Sequence, residues 1–244
     1  MNQKVTFSDD YFFKILHAIN QSETLEQLLA CVPKLVPNLV ATYHHFGAVG
    51  AFDYNDRCEF HGYNVPPDIF NYLDAHRKLD SNPAVVAVLS RGTGVWLSEL
   101  IDDPFIIEVG HEKLTQATLD LTGDALCLPL YGPNNRTGYM FLAFGVGRSE
   151  CDDFLGFRVE TLANKFHVRY CLMLNAMHKY VNLTSREAQV LELITHGKTN
   201  AVIADILGIS TSTVGGYVKS IFLKLDVSDR VSAAMRAQTL KVNF

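Results

Sequence analysis

The sequence has no uncharged apolar run of 18 residues, and a membrane-spanning helix needs about 20. Its opening stretch, MNQKVTFSDDYFFKIL, carries acidic groups and lacks the apolar core and cleavage site of a secretory signal, so a cytoplasmic protein away from any membrane is expected. No CxxC pair exists. The five cysteines, Cys31, Cys58, Cys127, Cys151 and Cys171, are odd in number and scattered. That disfavours a disulfide framework or a structural zinc site, and they read as small core or surface thiols. Catalytic signatures are missing too: there is no HxxxH, GxSxG, Walker or GxGxxG pattern. His44 and His45 are adjacent on a strand and point to opposite faces. Neither catalysis, a cofactor nor a metal site is therefore expected. Charged residues make up only 19% against 48% hydrophobic, so 244 residues suffice for one medium core and one small one.

The net charge of −5 is unevenly distributed. Residues 181–244 carry seven basic and five acidic side chains, a net +2, which leaves −7 for the rest. The asymmetry favours contact between the C-terminal segment and a polyanion.

That segment divides itself into four short helices. Thr184 and Glu187 fit a capping box, Val190, Leu193 and Ile194 repeat at helical spacing, and Gly197 supplies the stop. Thr199 or Asn200 can cap a second helix with a stripe of Val202, Ile203, Ile206 and Leu207, ended by Gly208. Ser210 caps a third, in which Val214, Tyr217, Val218, Ile221 and Leu225 share one face. Ser228 can cap a fourth, running through Ala233, Ala237 and Leu240. Two short helices joined by a glycine turn describe a helix-turn-helix, and the free side of the third helix holds Thr211, Ser212, Gly215, Gly216 and Lys219. The expected contacts to double-stranded DNA are these residues with Lys198, Thr199, Ser210, Thr213 and Lys224.

Over about fifty consecutive positions, LTSREAQVLELITHGKTNAVIADILGISTSTVGGYVKSIFLKLDVSDRVSAA resembles the DNA-binding domain of the LuxR family. The family's glutamate, leucine and glycine match Glu187, Leu191 and Gly197. Its IAxxLGIS turn matches Ile203 to Ser210, and its TV matches Thr213 and Val214. The resemblance implies a transcriptional regulator. One departure is Gly215-Gly216, where the family carries larger polar or basic side chains. Two glycines in a helix interior cost roughly 1 kcal/mol each. They either let the backbone approach DNA closely or relax affinity and specificity.

Residues 1–175 are expected to form a sensor domain, 176–182 a linker and 183–244 the DNA-binding domain. Helices are predicted over 8–20, 22–36 (capped by Ser22), 67–78, 83–91, 105–120 and 152–177. A hairpin is predicted from 40–54 and 58–63 about an Asn55-Asp56 turn, and another from 125–131 and 137–145 about Gly132 to Asn135. Helices around a short antiparallel sheet make the class α+β: an N-terminal α/β/α sandwich of the PAS or GAF kind, followed by a small all-α unit. The long helix has more apolar surface than one face needs, which suits a homodimer interface.

This order also resembles the LuxR-family signal-binding domain. The resemblance places the family's Asp-Pro pair, which binds an acyl-homoserine lactone amide, at Asn82-Pro83, and a pocket-wall tryptophan at Trp96. Other positions depart. A second tryptophan falls near Ile69 or Phe70, a tyrosine at Leu73 beside Tyr72, a glycine at Ala125, and a serine or threonine at Phe141. A pocket of Tyr72, Asn82, Trp96, Phe141, Ala125 and Ile69 has few polar anchors, and each orphaned polar group costs about 1–3 kcal/mol. The expected partner is therefore a small, mostly apolar signal. An acyl-homoserine lactone receptor proper and a ligand-independent regulator are the alternatives. Trp96 also reads as plain core, and Asn82 as a cap of the following helix. A phosphorylated response regulator shares the C-terminal domain, but its receiver opens with a strand and an acidic pair, which this chain lacks.

Overall fold

The computed structural model describes residues 5–35, 40–47, 58–76, 82–152, 154–177 and 181–239. They fall into two compact units, the described residues up to Phe46 and from Cys58 to Asn175 in one, and Gly47 with those from Ala176 onward in the other.

In the first unit, the Ser8 hydroxyl accepts from the Tyr11 amide at 3.2 Å and opens α1 (Asp9–Gln21). Thr24 caps the next helix, α2 (Leu25–Leu29), by accepting from the Gln27 amide at 3.2 Å, while the expected cap, Ser22, instead ends α1. The helix expected over 22–36 is two pieces, because Pro33 fits only the first turn of a helix and a new one, α3 (Val32–Leu35), begins there. Five antiparallel strands follow: β1 (Ala41–Phe46), β2 (Glu59–Tyr63), β3 (Val95–Trp96), β4 (Ala125–Tyr131) and β5 (Thr137–Ala143), in the order β2-β1-β5-β4-β3. Ala41 pairs with Tyr63 as the first hairpin requires, and its Asn55-Asp56 turn lies outside the described residues. The second hairpin turns through Asn134 and Asn135, both left-handed at φ of 60° and 57°, a conformation asparagine tolerates.

Between the strands run α4 (Pro67–Ala75), α5 (Pro83–Arg91), α6 (Leu97–Leu100), α7 (Pro104–Glu108) and α8 (Glu112–Thr122). The helix expected over 67–78 ends earlier, at Ala75, with His76 as its C-cap donating its amide to the Tyr72 carbonyl. The helix expected over 105–120 is broken at Gly110, whose φ of 72° is incompatible with a continuous right-handed helix. β3 and α6 are too short to leave a periodic signal.

Strand alternation decides which core each side chain joins. Met140 and Leu142 of β5 face a core with Ile19, Leu28, Val32 and the long helix α9 (Leu155–Met177). Tyr139, Phe141 and Ala143 face a second core with Val85, Val88, Leu100 and Ile106. The result is an α/β/α sandwich. His167 of α9 is fully buried in the first core. Burial foremost, with His45 and the Arg136 charge nearby, pulls its pKa down to about 3 although the Arg136 carbonyl opposes the shift.

The second unit is four helices: α10 (Ser185–Thr195), α11 (Asn200–Leu207), α12 (Thr211–Leu225) and α13 (Arg230–Thr239). Val190, Leu191, Ile194, Ile203, Val214, Ile221, Leu225 and Ala233 close its core. The capping box is present, with Thr184 and Glu187 each accepting the other's amide. α13 is capped by Asp229, which takes the Ser232 amide at 2.9 Å and its hydroxyl at 2.5 Å, rather than by Ser228. No single described helix is long and apolar enough to cross a membrane.

Candidate functional site

The first unit holds a cavity of about 70 Å³ on the sheet face that carries Tyr139 and Phe141. Its floor is Val40, Thr42, Tyr139 and Phe141. α4 contributes Ile69, Tyr72 and Leu73, the start of α5 Asn82 and Ala84, α6 Leu97, and α8 with its preceding turn His111, Leu114, Thr115 and Thr118. Four of the six expected pocket residues, Ile69, Tyr72, Asn82 and Phe141, therefore meet in one place.

Trp96 does not line this cavity. Its neighbour Val95 faces the cavity-side core, so strand alternation sends Trp96 to the other face. There it packs on Phe144 with ring centroids 5.4 Å apart, under the Arg148 guanidinium at 5.4 Å. Ala125 is fully buried on the cavity-side face but does not line the cavity. Tyr139 follows from Phe141 by the two-residue strand period, so that signal was present in the sequence. His111 had none, because it enters through the break between α7 and α8.

Most polar groups on the cavity wall are already engaged. Thr115 and Thr118 donate to the backbone carbonyls of His111 and Leu114 at 3.0 and 2.9 Å. Thr42 Oγ1 meets His44 Nε2 at 3.1 Å. Burial pushes the Tyr139 hydroxyl pKa far up, and it shares a hydrogen bond with the Cys127 thiol, itself pushed up to about 12 chiefly by burial. Asn82 caps α5, its Oδ1 accepting from the Val85 amide at 3.4 Å. Its amide NH₂ has no partner among the described residues. Tyr72 and His111 face each other, hydroxyl to Nδ1, at 3.4 Å, and His76 stacks on Tyr72 at 4.1 Å. Apolar walls with three available polar groups, Asn82, Tyr72 and His111, can hold a small neutral molecule that bears a hydrogen-bond acceptor.

In the second unit, α11 and α12 are bent 110° apart about Gly208, which is left-handed at φ 64°. Ser210 accepts from the Thr213 amide at 3.0 Å and from or to its hydroxyl at 2.8 Å, so both are engaged in the cap of α12. Val214, Ile221 and Leu225 point inward. Thr211, Ser212, Gly216 and Lys219 are exposed and Gly215 is half-buried, which leaves the expected face clear. A Cβ at Gly215 or Gly216 would meet no atom within 4 Å, so packing within the unit does not require glycine there. Lys198 and Thr199 are exposed at the start of α11, where Thr199 takes the Val202 amide at 3.4 Å.

Lys224 is placed differently from expectation. Its ammonium lies 2.6 Å from Glu187, which also takes the Ser220 hydroxyl and the Thr184 amide, each at 2.6 Å. Glu187 is thus a buried knot joining α10 to α12, and Lys224 serves it rather than standing clear for a phosphate. Arg230, which no sequence signal singled out, donates to Asn200 Oδ1 at 3.1 Å and to the Lys198 carbonyl, holding the start of α11.

Residues 181–237 match the family described as Bacterial regulatory proteins, luxR family. The putative HTH-type transcriptional regulator y4qH of Sinorhizobium fredii is 26% identical over 184 residues, 72% of this chain and 56% of its own length. The transcriptional regulatory protein LiaR of Bacillus subtilis is 48% identical over 56 residues, 23% of this chain and 26% of its own. The chain therefore spans about half, or less, of the curated relatives it matches. The crystal structure of Escherichia coli SdiA aligns at TM-score 0.68 and 18% identity, covering 96% of this chain and 98% of that one. SdiA in complex with octanoyl-rac-glycerol gives 0.68 at 20% identity, covering 96% and 97%. The fold is the one these structures have.

Proposed function

Residues 181–237 are a helix-turn-helix domain of the luxR family, and from that premise we propose that the chain is a homodimeric regulator of transcription whose sandwich unit senses a small, mostly apolar molecule. The observation that carries the DNA half of the reading is the clear face of α12. Thr211 and Ser212 sit at a helix N-terminus, where backbone amides favour phosphate, and Lys219 lies on the same side. Phosphate binding by Lys219 makes the affinity depend on salt. Lys219→Ala is expected to weaken binding to duplex DNA at low salt and to flatten the log–log salt slope by about 0.9 for each phosphate that is no longer neutralised. An unchanged affinity and slope, measured by fluorescence anisotropy, would move the DNA to another face. A single module reads too short a site for a genome, which supports two copies acting together.

The cavity supports the sensing half. At about 70 Å³ it is below the roughly 300–1,000 Å³ of ordinary ligand pockets, so its ligand is small or its wall moves outward on binding. α4 is the wall suited to moving, since none of its residues is fully buried. Thermal melting against neutral aromatic metabolites, octanoyl-rac-glycerol and unmodified acyl-homoserine lactones tests this. Stabilisation by a small neutral compound bearing an acceptor is the expected result. A large stabilisation by an unmodified lactone, abolished in Asn82→Ala, would instead make the chain an acyl-homoserine lactone receptor. No shift by any compound, with DNA binding intact, would make it ligand-independent.

A further inference from the structure

Among the described residues, the Tyr72 hydroxyl has one hydrogen-bond contact, His111 Nδ1, and the two atoms are 3.4 Å apart. That is longer than the roughly 2.7–3.2 Å of a well-made hydrogen bond. Burial raises the hydroxyl pKa above its ordinary value, so the group keeps its proton. His76 holds the phenol in place: its ring stacks on Tyr72 at 4.1 Å, and its Nδ1 donates to the Tyr72 carbonyl at 2.8 Å. Tyr72 belongs to α4, in which no residue is fully buried, and His111 to the turn that opens α8. We propose that the cavity takes a neutral hydroxyketone, whose hydroxyl inserts between Tyr72 and His111 while its carbonyl accepts from the Asn82 amide. This rests on the sensing reading of the cavity and names the class of compound sensed.

A hydroxyl is the group that suits the gap. A phenol is the stronger acid of the pair and an imidazole nitrogen the stronger base, so Tyr72 donates and Nδ1 accepts. An atom placed between them must accept from Tyr72 and donate to Nδ1. A hydroxyl oxygen does both, and no proton changes owner. A carbonyl or ether oxygen only accepts, and would turn its lone pair toward that of Nδ1. Two hydrogen bonds of ordinary length meeting at one oxygen hold their outer atoms about 4.5–5 Å apart. The hydroxyl is therefore a wedge, which parts Tyr72 from His111 by roughly 1 Å more than their present contact and enlarges the cavity from the α4 side.

Asn82 sets the second group. Its Oδ1 takes the Val85 amide at 3.4 Å, so what it has left for a ligand is the NH₂, a donor that calls for a carbonyl. Ile69, Leu73, Ala84, Leu97 and Leu114 make the rest of the wall apolar. A charged group would lie there without a partner, so the body of the ligand is hydrocarbon or aromatic.

The test is calorimetric titration of the full chain with two hydroxyketones, α-hydroxypropiophenone and β-hydroxybutyrophenone, and with their parents, propiophenone and butyrophenone. At least one hydroxyketone should bind about tenfold or more tightly than its parent. Tyr72→Phe keeps the stack on His76 and removes the hydroxyl. It should bring the hydroxyketone down to the affinity of its parent and leave the parent's affinity unchanged. His111→Leu should do the same, and His111→Asn, whose side-chain oxygen can stand in for Nδ1, should restore the preference. A merely structural role for either residue would weaken both ligands alike. Circular dichroism checks that each variant is folded, and the comparison of ligand pairs on the unaltered chain decides the matter if one is not. The proposal is overturned if hydroxyketone and parent bind equally, if folded Tyr72→Phe keeps the preference, or if none of the ketones binds. Equal binding leaves the sensing reading standing, and that reading falls too only when no compound of any class shifts the melt.

Discussion

Glu187 is 4% exposed yet ionised. Burial acts to raise its pKa, but hydrogen bonds from Lys224, Ser220 and Thr184 outweigh it and hold the carboxyl at about 2, against an ordinary 4.5. Because the folded value lies below the unfolded one, the stabilisation is complete above about pH 4.5 and is lost as pH falls toward 2. Glu187→Gln should remove much of this acid dependence from the C-terminal unit and destabilise it by about 2 kcal/mol, read by urea unfolding between pH 3 and 7. An identical acid limb in the variant would remove Glu187 from this role. Asn82 tests the cavity at the same scale. Asn82→Asp keeps the cap of α5 but replaces an amide donor with acceptors. It should cut affinity for an acceptor-bearing ligand at least tenfold, an orphaned partner being worth about 1–3 kcal/mol. Trp96→Phe, on the other sheet face, should leave that affinity unchanged in the same titration, and a comparable loss there would place the ligand elsewhere.

Gly215 and Gly216 set the character of α12. Neither position needs glycine for packing, and both are helical, so alanine at either should stabilise the unit by roughly 1 kcal/mol. If close approach of the backbone to DNA is their purpose, the double alanine variant will be more stable and bind its operator less tightly. Unchanged or tighter binding would show that the pair only relaxes affinity. On α9, Phe154 precedes the helix and Phe157 lies in its first turn, and they are 66% and 71% exposed. Phe13 on α1 is 63% exposed. Sedimentation of the proposed dimer should show Phe157→Asp shifting it toward monomer by at least tenfold in dissociation constant. No shift would move the interface, with the exposed Leu223 and Val231 of the second unit next to be tested.

At the scale of the whole molecule, a ligand can shift DNA affinity only by the difference in its own affinity for two states of the chain. Under the sensing proposal, a wall that moves outward on binding would supply such a difference, because its open and closed forms would bind ligand unequally. The coupling is reciprocal: whatever factor the ligand adds to operator affinity, operator DNA must add to ligand affinity. Melting of the ligand-loaded chain with and without operator measures both factors.

The sequence by itself determined the helix-turn-helix. Its signals are local: a capping box at Thr184 and Glu187, a left-handed Gly208, a cap at Ser210 and an apolar stripe of period 3.6 all act within a few residues of one another. The sandwich and the second hairpin were legible for the same reason, since strand alternation and the Gly132 to Asn135 turn are short-range. Only the tertiary structure decided the pairings between distant elements. Trp96 and Phe141 both looked like pocket walls, and only the register of β3 against β4 sends them to opposite faces. Lys224 looked free until the fold brought it to Glu187, 37 positions away. Tyr72 and His111 looked unrelated because 39 positions separate the helix from the turn. Which side chains share a core depends on how elements pack, and packing is carried by no single stretch of chain.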